Sequence, residues 1–335
     1  MQRCLQLAAL GLGQTRSNPM VGCVVVEDDK IIAEGFHKGY GLPHAEVDAL
    51  SKLNAEKNLS RCTVYVNLEP CSHHGKTPPC ADFLISRGVK SVVIASLDPN
   101  PLVSGNGVRK LREAGVEVVV GLLESESLEL NKRFFTFHTK KRPFIFLKWA
   151  QSNDGFISPL NHKDSYALTN SVSNTLVHKW RSEEMGILVG RKTVENDNPQ
   201  LTVRHVPGEN PVRIVFDTDC KLTEDRLIFD DKATTIVFNL IKDNENSTVK
   251  WIKLKGENFL LEAMQKLYAL NIISVLVEGG TVTLQHFINN NRWDEARIFK
   301  TQQNLKIGIP APLIEGTEHS VSELDTDKLI QLIPN

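Results

Sequence analysis

Two short segments, His44-Ala-Glu46 and Pro70-Cys-Ser-His-His-Gly-Lys-Thr-Pro-Pro-Cys80, decide how the first half of the chain folds and what it binds. They contain one imidazole and two thiol groups, those of His44, Cys71 and Cys80. Three such donors can hold a tetrahedral zinc ion and leave its fourth position open for water. The glutamate of the first segment is placed to move protons on and off that water. The two segments therefore predict a catalytic metal site.

A structural zinc site is the main alternative to a catalytic one. Structural sites usually close with four protein ligands, and His73 or His74 could supply the fourth. Glu46 would then have no role. A cysteine can also be an ordinary buried apolar residue, but Cys71 and Cys80 each follow a proline and bracket a polar segment that would make a poor core. We therefore favour the catalytic interpretation.

Composition limits the class of protein. The chain has 335 residues, of which 41% are hydrophobic and 24% charged, which is enough for two globular domains. A formal net charge of −1 gives no overall field to attract nucleic acid or an anionic membrane. The sequence has no run of about twenty apolar residues that would span a bilayer. Six cysteines beside a metal motif favour a reducing compartment, so we expect a cytoplasmic protein without nucleic-acid or membrane partners.

A regular alternation of helices and strands predicts a layered α/β fold in both halves of the chain. In the first half we predict helices at Leu5–Leu12, His44–Leu53, Cys80–Arg87, Val108–Ala114 and Leu128–His138, and strands at Val21–Val26, Ile31–Gly35, Thr63–Leu68, Val89–Ala95 and Val116–Val120. In the second half we predict helices at Ser171–Arg181, Leu260–Tyr268 and Thr281–Ile288, and strands at Phe144–Trp149, Gly186–Gly190, Val212–Asp217, Thr234–Asn239 and Ile273–Val277.

A basic segment, Lys140-Lys-Arg-Pro143, separates the two halves. We interpret its charges as those of a solvated linker rather than of a nucleic-acid patch. The sequence therefore predicts two domains, residues 1–140 and 143–335.

The second half has one suggestive turn, Glu278-Gly-Gly280, between an apolar strand and a helix. Its backbone amides could hold a phosphate group at the helix N-terminus, or the segment could be a simple tight turn. Its spacing alone gives the two interpretations equal weight. The half contains no G-x-G-x-x-G segment, so a Rossmann dinucleotide domain is not supported.

The first half resembles a known enzyme family. The His-x-Glu…Pro-Cys pattern is typical of zinc-dependent nucleobase deaminases, although eight residues separate Cys71 from Cys80 where two are usual. The segment Glu69–Cys80, with Asn18-Pro-Met-Val-Gly-Cys23 and Asp98-Pro-Asn-Pro101, closely resembles the deaminase half of the bifunctional riboflavin-biosynthesis enzymes, the RibD or RibG family.

The resemblance implies that this half hydrolytically deaminates a diaminopyrimidinone ribosyl phosphate, with one zinc ion held by the three donors. Glu46 would carry the protons. The family positions that handle substrate correspond here to Asn18, His37, His73, Lys76, Asp98 and Asn100.

The resemblance continues through the second half. The segments Lys148-x-Ala-x-Ser-x-Asp-Gly155, Thr193-Val-x-x-Asp-x-Pro-x-Leu-Thr-x-Arg204 and Val277-Glu-Gly-Gly280 are similar to the family's reductase half. This implies a dihydrofolate-reductase-like fold that uses NADPH to reduce the ribosyl group to ribityl. The implied cofactor contacts are Ala150, Ala167, Thr193, Asp197, Gly280, Thr281, Val282, Thr283, Leu284, Gln285 and His286. The implied substrate contacts are Ser165, Arg181, Leu201, Arg204 and Glu278.

Some positions depart from the family pattern. Ala167-Leu-Thr-Asn170 stands where members often have Trp-Ile-Thr-Ser, and Asn153 stands where they often have leucine. One alternative is therefore an active deaminase with a degenerate reductase domain. Another is a nucleic-acid-editing deaminase, which the near-neutral charge and the long segment before Cys80 argue against. By resemblance, we also expect a homo-oligomer.

Overall fold

A main β-sheet organises each of two units, Met1–Lys141 and Arg142–Asn335. The computed structural model describes residues 1–72, 78–100, 104–160 and 166–335. Helices and strands alternate through both units, so the predicted α/β class is confirmed. Among the described residues, no helix combines the length and the apolar character needed to cross a bilayer.

The first unit is built on a sheet with the strand order β2-β1-β3-β4-β5. Its strands are β1 (Gly22–Glu27), β2 (Lys30–Phe36), β3 (Thr63–Leu68), β4 (Ser91–Ser96) and β5 (Glu117–Val120). Its helices are α1 (Gln2–Ala9), α2 (Ala45–Leu50), α3 (Cys80–Ser86), α4 (Asn106–Glu113), α5 (Glu124–Leu130) and α6 (Lys132–Lys140). β1 runs antiparallel to β2 and β3, whereas β3, β4 and β5 are parallel. The carboxyl ends of β3 and β4 therefore meet at one edge, where open α/β sheets bind ligands.

Helix α2 lies unusually close to the sheet of the first unit. A Cβ atom at Gly35 would meet the Ala49 backbone nitrogen at 2.3 Å and the Ala45 carbonyl oxygen at 2.6 Å. Glycine on the strand and alanine on the helix therefore let the two backbones touch. This contact fixes the start of α2, which carries His44 and Glu46, against the sheet.

One predicted helix of the first unit is wrong. The segment Leu128–His138 is not continuous, because α5 ends and α6 begins at Asn131. The Asn131 side chain is buried, accepts the Met20 backbone N–H at 2.8 Å and donates to the Met20 carbonyl oxygen at 2.9 Å. This long-range contact explains a break that the local apolar pattern does not show.

The basic segment between the units differs from the sequence expectation at Arg142, whereas Lys140 and Lys141 are exposed as predicted. Arg142 is not solvated, since its side chain is 10% exposed and forms two hydrogen bonds to Asp294, at 2.5 and 2.7 Å. The Asp294 carboxylate also accepts the Ile145 backbone N–H at 3.0 Å. Arg142 therefore anchors the start of the second unit.

The second unit has the strand order β11-β12-β10-β9-β8-β13-β6-β14-β17-β16. Its strands are β6 (Phe144–Gln151), β7 (Phe156–Pro159), β8 (Gly186–Gly190), β9 (Val212–Phe216), β10 (Thr235–Asn239), β11 (Asn244–Glu245), β12 (Val249–Lys253), β13 (Ser274–Val277), β14 (Glu295–Lys300), β15 (Gly308–Pro310), β16 (Thr317–Leu324) and β17 (Asp327–Ile333). Its helices are α7 (Ser171–Glu183), α8 (Arg191–Asp197), α9 (Phe259–Ala269) and α10 (Thr281–Asn289), with a 3₁₀ turn at Leu227–Phe229.

The middle strands of this sheet, from β12 to β14, are parallel. At one edge, β11 runs antiparallel to β12. At the other edge, β17 runs antiparallel to β14, and β16 runs antiparallel to β17. Strands β7 and β15 form a separate antiparallel pair. The central strands β8 and β13 are buried throughout, as their continuous apolar sequences require. The polar residues that follow these strands are consequently gathered at one edge of the sheet.

Candidate active sites

The three predicted metal donors meet in the first unit. The ligand atoms of His44, Cys71 and Cys80 all lie within 4.8 Å of one another. His44 Nδ1 is 3.6 Å from Cys71 Sγ and 3.3 Å from Cys80 Sγ. One imidazole nitrogen and two sulfur atoms at this separation fit a zinc ion with a remaining open position.

The local structure explains why the donors converge. His44 is the N-terminal cap of α2, Cys80 is the first residue of α3, and Cys71 follows β3 by three residues. The Cys80 backbone N–H donates to Cys71 Sγ at 3.3 Å. Hydrogen bonding to Cys80 and to His44 lowers the pKa of the Cys71 thiol, although burial opposes this. The hydrogen bond to Cys71, together with burial, raises the pKa of the Cys80 thiol, so one of the two thiolates that a metal requires is favoured at Cys71.

Glu46 lies beside the donors and is 3% exposed. Burial raises the pKa of its carboxyl, and the charge of Cys71 acts in the same direction. A carboxyl group in these surroundings can both take up and release a proton, which is what a proton carrier must do.

Asn18 and His37 form a polar pair next to the donors. The His37 ring stands edge-on to the His44 ring, with 5.5 Å between their centroids. His37 Nδ1 lies 3.1 Å from the Pro43 carbonyl oxygen, which can only accept, so Nδ1 carries the proton. His37 Nε2 then accepts from Asn18 Nδ2 at 3.1 Å. Burial lowers the pKa of His37, which keeps the ring neutral.

Glu69 is a functional candidate to which the sequence analysis gave no role. Its buried carboxylate accepts four backbone N–H groups, those of Asp98, Gly105, Gly107 and Val108, at 2.8 to 3.2 Å. It therefore ties the segment after β4, which includes Asp98 and Asn100, to the start of the metal-binding turn. The Asp98 carboxylate in turn accepts the Asn100 backbone N–H at 2.7 Å.

Three predicted substrate residues, His73, Lys76 and Ser165, lie outside the described residues. The alternative fourth zinc ligands, His73 and His74, belong to the same undescribed stretch, residues 73–77.

The second unit has a cavity of about 810 Å³ at the carboxyl ends of β6, β8, β9 and β13. The predicted residues that line it are Ala150, Ala167, Thr193, Asp197, Arg181, Glu278, Gly280, Thr281, Val282, Thr283 and Leu284. Four other predicted residues, Leu201, Arg204, Gln285 and His286, do not line it. Gln285 is engaged elsewhere, because its side chain both donates to and accepts from the Leu313 backbone.

A buried cluster of charges lies in the wall of this cavity. Arg181 makes two hydrogen bonds of 2.8 Å to the Glu278 carboxylate, and Lys148 Nζ lies 3.8 Å from the same group. Burial opposes ionisation of Glu278, but the charges of Arg181 and Lys148 outweigh it and hold the pKa of the carboxyl at about 2. Burial lowers the pKa of Lys148, while the charge of Glu278 opposes that change.

The turn at Glu278-Gly-Gly280 brings two helix starts together. A Cβ atom at Gly279 would meet Val189 Cα at 2.5 Å and the Gly190 nitrogen at 2.8 Å, so the end of β13 touches the end of β8. Gly280 has φ of +44°, in the region that favours glycine. Helices α8 and α10 therefore begin side by side at the cavity, which favours an anionic group there.

Further cavity residues were missed by the sequence analysis. Lys148 occurs in a motif quoted for the resemblance, but it received no role, and Thr218 and Asn174 were not considered. Thr218 follows β9, the parallel strand next to β8. Its position just after this strand end could have identified it as a cavity residue.

Comparison with known proteins agrees with the geometry of both units. Residues 1–96 match the family described as the cytidine and deoxycytidylate deaminase zinc-binding region. Residues 143–301 match the family described as the RibD C-terminal domain.

Similar proteins extend over nearly the whole chain. The riboflavin biosynthesis protein RibD of Aquifex aeolicus is 43% identical over 333 residues, covering 97% of this chain and 89% of the relative. The RibD protein of Escherichia coli is 36% identical over 317 residues, covering 89% of this chain and 86% of the relative. The crystal structure of a diaminohydroxyphosphoribosylaminopyrimidine deaminase/5-amino-6-(5-phosphoribosylamino)uracil reductase from Thermotoga maritima matches with a TM-score of 0.92 at 39% identity, covering 100% of this chain and 97% of that one.

Proposed function

The chain belongs to the RibD family of bifunctional riboflavin-biosynthesis enzymes, and we propose that its two units carry out consecutive steps on one phosphoribosylaminopyrimidine. The first unit is a cytidine-deaminase-like, zinc-dependent deaminase, and the second is a reductase of dihydrofolate-reductase-like fold. The domain limits of the proposal are residues 1–140 and 143–335. The convergence of His44, Cys71 and Cys80 beside Glu46 is the observation that carries it.

In the first site the substrate is 2,5-diamino-6-(5-phosphoribosylamino)pyrimidin-4(3H)-one. His44, Cys71 and Cys80 would hold a zinc ion, which would supply a Lewis acid to a bound water. Glu46 would take one proton from the attacking water and give it to the ring nitrogen. It would then take the remaining hydroxyl proton and give it to the amino group, which leaves as ammonia. The rise in the pKa of Glu46 on burial supports this double task, because a strongly acidic carboxyl would hold the proton too weakly.

The residues around the donors orient the substrate ring. Asn18 and His37 present a fixed pair of polar groups next to His44, and Asp98 and Asn100 lie on the segment that Glu69 holds. His73 and Lys76 complete the proposed set on the strength of the family resemblance.

In the second site the substrate is 5-amino-6-(5-phosphoribosylamino)uracil and the cofactor is NADPH. NADPH held in this cavity would supply the hydride that reduces C1 of the ribosyl group in its open, imine form. Cofactor binding is assigned to Ala150, Ala167, Thr193, Asp197 and the segment from Gly280 to His286. The paired starts of α8 and α10 suit the cofactor's phosphates.

Substrate binding in the second site is assigned to Ser165, Arg181, Leu201, Arg204 and Glu278. Arg204 suits the sugar phosphate, because a guanidinium matches its oxygens with two parallel donors, whereas two donors of Arg181 are held by Glu278. Lys148, a buried cation in the same wall, can give the ring oxygen the proton it needs when the ribosyl ring opens. Ala167 lines the cavity although tryptophan is frequent at this position in the family, which supports its assignment to the cofactor site.

Three further expectations accompany the proposal. We expect small-molecule substrates without nucleic-acid or membrane partners, a cytoplasmic location and assembly into a homo-oligomer. These stay predictions.

The substitution Glu46→Gln tests the deaminase assignment. Loss of the proton carrier should slow ammonia release by about 10²- to 10⁴-fold. Metal analysis should find the same zinc content as in the wild type, because glutamine leaves the three donors in place. Glu56→Gln, at an exposed position in the same unit, is the matched control and should release ammonia normally. Normal ammonia release by Glu46→Gln would instead indicate a structural zinc site.

A further inference from the structure

His178 is a buried histidine to which the proposed reaction gives no role. It lies on α7 with Asn174 four residues before it and Arg181 three residues after it, so the three side chains share one face of the helix. Asn174 and Arg181 both line the reductase cavity, whereas His178 is 1% exposed. The histidine therefore lies immediately behind the cavity wall.

His178 holds the backbone of Arg204. Its Nδ1 atom accepts the Arg204 backbone N–H at 3.1 Å, so Nδ1 carries no proton. Arg181, Arg204, His205 and Glu278 are the charged and titratable groups in reach of the ring. Burial lowers the pKa of His178 to about 4, and the charges of Arg181 and Arg204 act in the same direction. The ring is consequently a neutral acceptor at physiological pH.

The backbone just before Arg204 is also held in place, so the hydrogen bond from the Arg204 N–H to His178 completes a constrained segment. Leu201 is buried and has φ of +55°, which a leucine adopts only when its surroundings require it. The Thr202 carbonyl oxygen accepts from Arg181 at 3.4 Å, and the Val203 backbone N–H donates to the Asn210 side chain at 2.8 Å. With the bond to His178, helix α7 holds the backbone of Thr202 and of Arg204, and Asn210 holds that of Val203 between them.

The two arginines near His178 differ in how their charges are used. Arg181 is bound to the Glu278 carboxylate through two hydrogen bonds. Arg204 is exposed, and its guanidinium donates to the neutral hydroxyl of Thr202 at 3.2 Å. The charge of Arg204 is therefore available to an anionic ligand, provided that the backbone presents the side chain in the right place.

We propose that His178 is a positioning residue that fixes Arg204 so that its guanidinium binds the phosphate of the reductase substrate. The proposal rests on the proposed function, which places Arg204 at the substrate. His178 acts through one neutral hydrogen bond to the arginine backbone and contributes no charge of its own. The phosphate group is then bound by the Arg204 guanidinium, and His178 sets the position of Arg204 from behind the cavity wall.

The test compares four variants of the full-length chain: His178→Phe, His178→Asn, Arg204→Ala, and the double variant His178→Phe with Arg204→Ala. Phenylalanine keeps a ring but removes the acceptor, while asparagine keeps an acceptor at the same branch of the side chain. KM and kcat for reduction are measured with the phosphorylated substrate and with its dephosphorylated ribosyl form.

We expect His178→Phe to raise KM for the phosphorylated substrate by about tenfold, the size typical for losing one partner of a buried hydrogen bond. KM for the dephosphorylated form and kcat should change by less than about twofold, within the scatter of independent sites. His178→Asn should restore most of the lost affinity. The double variant should match Arg204→Ala, because a residue that acts only through Arg204 adds nothing once that side chain is gone.

His205→Ala is the control for simple ring packing, since the His205 ring contacts the His178 ring at 4.3 Å between centroids. This variant should keep the wild-type KM. Tryptophan fluorescence of each variant reports whether the second unit has folded, because all four tryptophans of the chain lie in that unit. If Arg204→Ala weakens phosphate recognition but His178→Phe does not, or if their effects add, the proposal is wrong and the proposed function stands. If Arg204→Ala itself leaves KM unchanged, the assignment of Arg204 fails and the proposal fails with it.

Discussion

Glu278 shows at the residue scale how the reductase site depends on burial and charge together. Its carboxylate is 7% exposed and is shared by Arg181 and Lys148, whose side chains are 12% and 15% exposed. A buried pair of this kind contributes little net stability when intact, but removing one partner leaves uncompensated buried charge. The same carboxylate therefore orders the site and keeps two cations in it.

The substitution Glu278→Gln should lower the free energy of unfolding of the second unit by about 3–5 kcal/mol at neutral pH. The pKa of Glu278 is about 2 in the folded chain and near 4.3 when unfolded, so its contribution is complete above about pH 4.3 and is lost as pH falls toward 2. The difference between wild type and variant should consequently shrink as pH falls from 5 to about 3.

Urea unfolding followed by tryptophan fluorescence measures this difference. All four tryptophans, Trp149, Trp180, Trp251 and Trp293, lie in the second unit, so the signal reports on that unit alone. Glu278→Asp, which keeps the charge, is the control and should lose less stability. A difference that stays constant with pH would contradict the assigned ionisation of Glu278.

At the scale of elements, features that depend on short motifs could be predicted from the sequence, whereas features that depend on long-range contacts could not. The metal donors could be predicted because each lies within a few residues of a helix start or a strand end. The role of Glu69 could not, because its backbone partners lie 29 to 39 residues further along the chain. The break at Asn131 was missed for the same reason, since its partner Met20 is 111 residues away. Strands β7, β11 and β12, and every strand from β14 onward, were not predicted from the sequence.

The close contact between the ends of β8 and β13 supports a prediction at Gly279. In Gly279→Ala, the new Cβ would meet the Val189 backbone at 2.5 Å, so the two strand ends must separate. We expect a loss of about 1–3 kcal/mol in the unfolding of the second unit, typical of overpacking, together with weaker NADPH binding. Tryptophan fluorescence and NADPH titration measure the two effects.

Gly39→Ala is the matched control for this substitution. A Cβ atom at Gly39 meets its first neighbour at 3.4 Å, an ordinary contact distance, and the residue lies in the other unit. It should leave both readouts unchanged. Wild-type stability and NADPH affinity in Gly279→Ala would show that the turn can open without cost, contrary to the contact described.

At the scale of the whole molecule, two units with separate cores each carry one site. In both units the site residues gather at the carboxyl ends of parallel strands, β3 and β4 in the first and β6, β8, β9 and β13 in the second. Alternation of helices and strands was enough to predict this layered class. The pairing of strands distant in sequence, such as β6 with both β13 and β14, was beyond local patterns, because it depends on the completed sheet.

The central claim is that deamination and reduction occur in that order at two independent sites. The most direct test records ammonia release and NADPH absorbance together, on the full-length wild type supplied with the diaminopyrimidinone ribosyl phosphate, before and after zinc removal by a chelator. We predict that ammonia appears first and NADPH consumption follows. The zinc-free protein should do neither, yet should consume NADPH again when given the deaminated substrate. Two results would contradict the account: NADPH consumption by the zinc-free protein when it is given only the diaminopyrimidinone substrate, or ammonia release that zinc removal leaves unchanged.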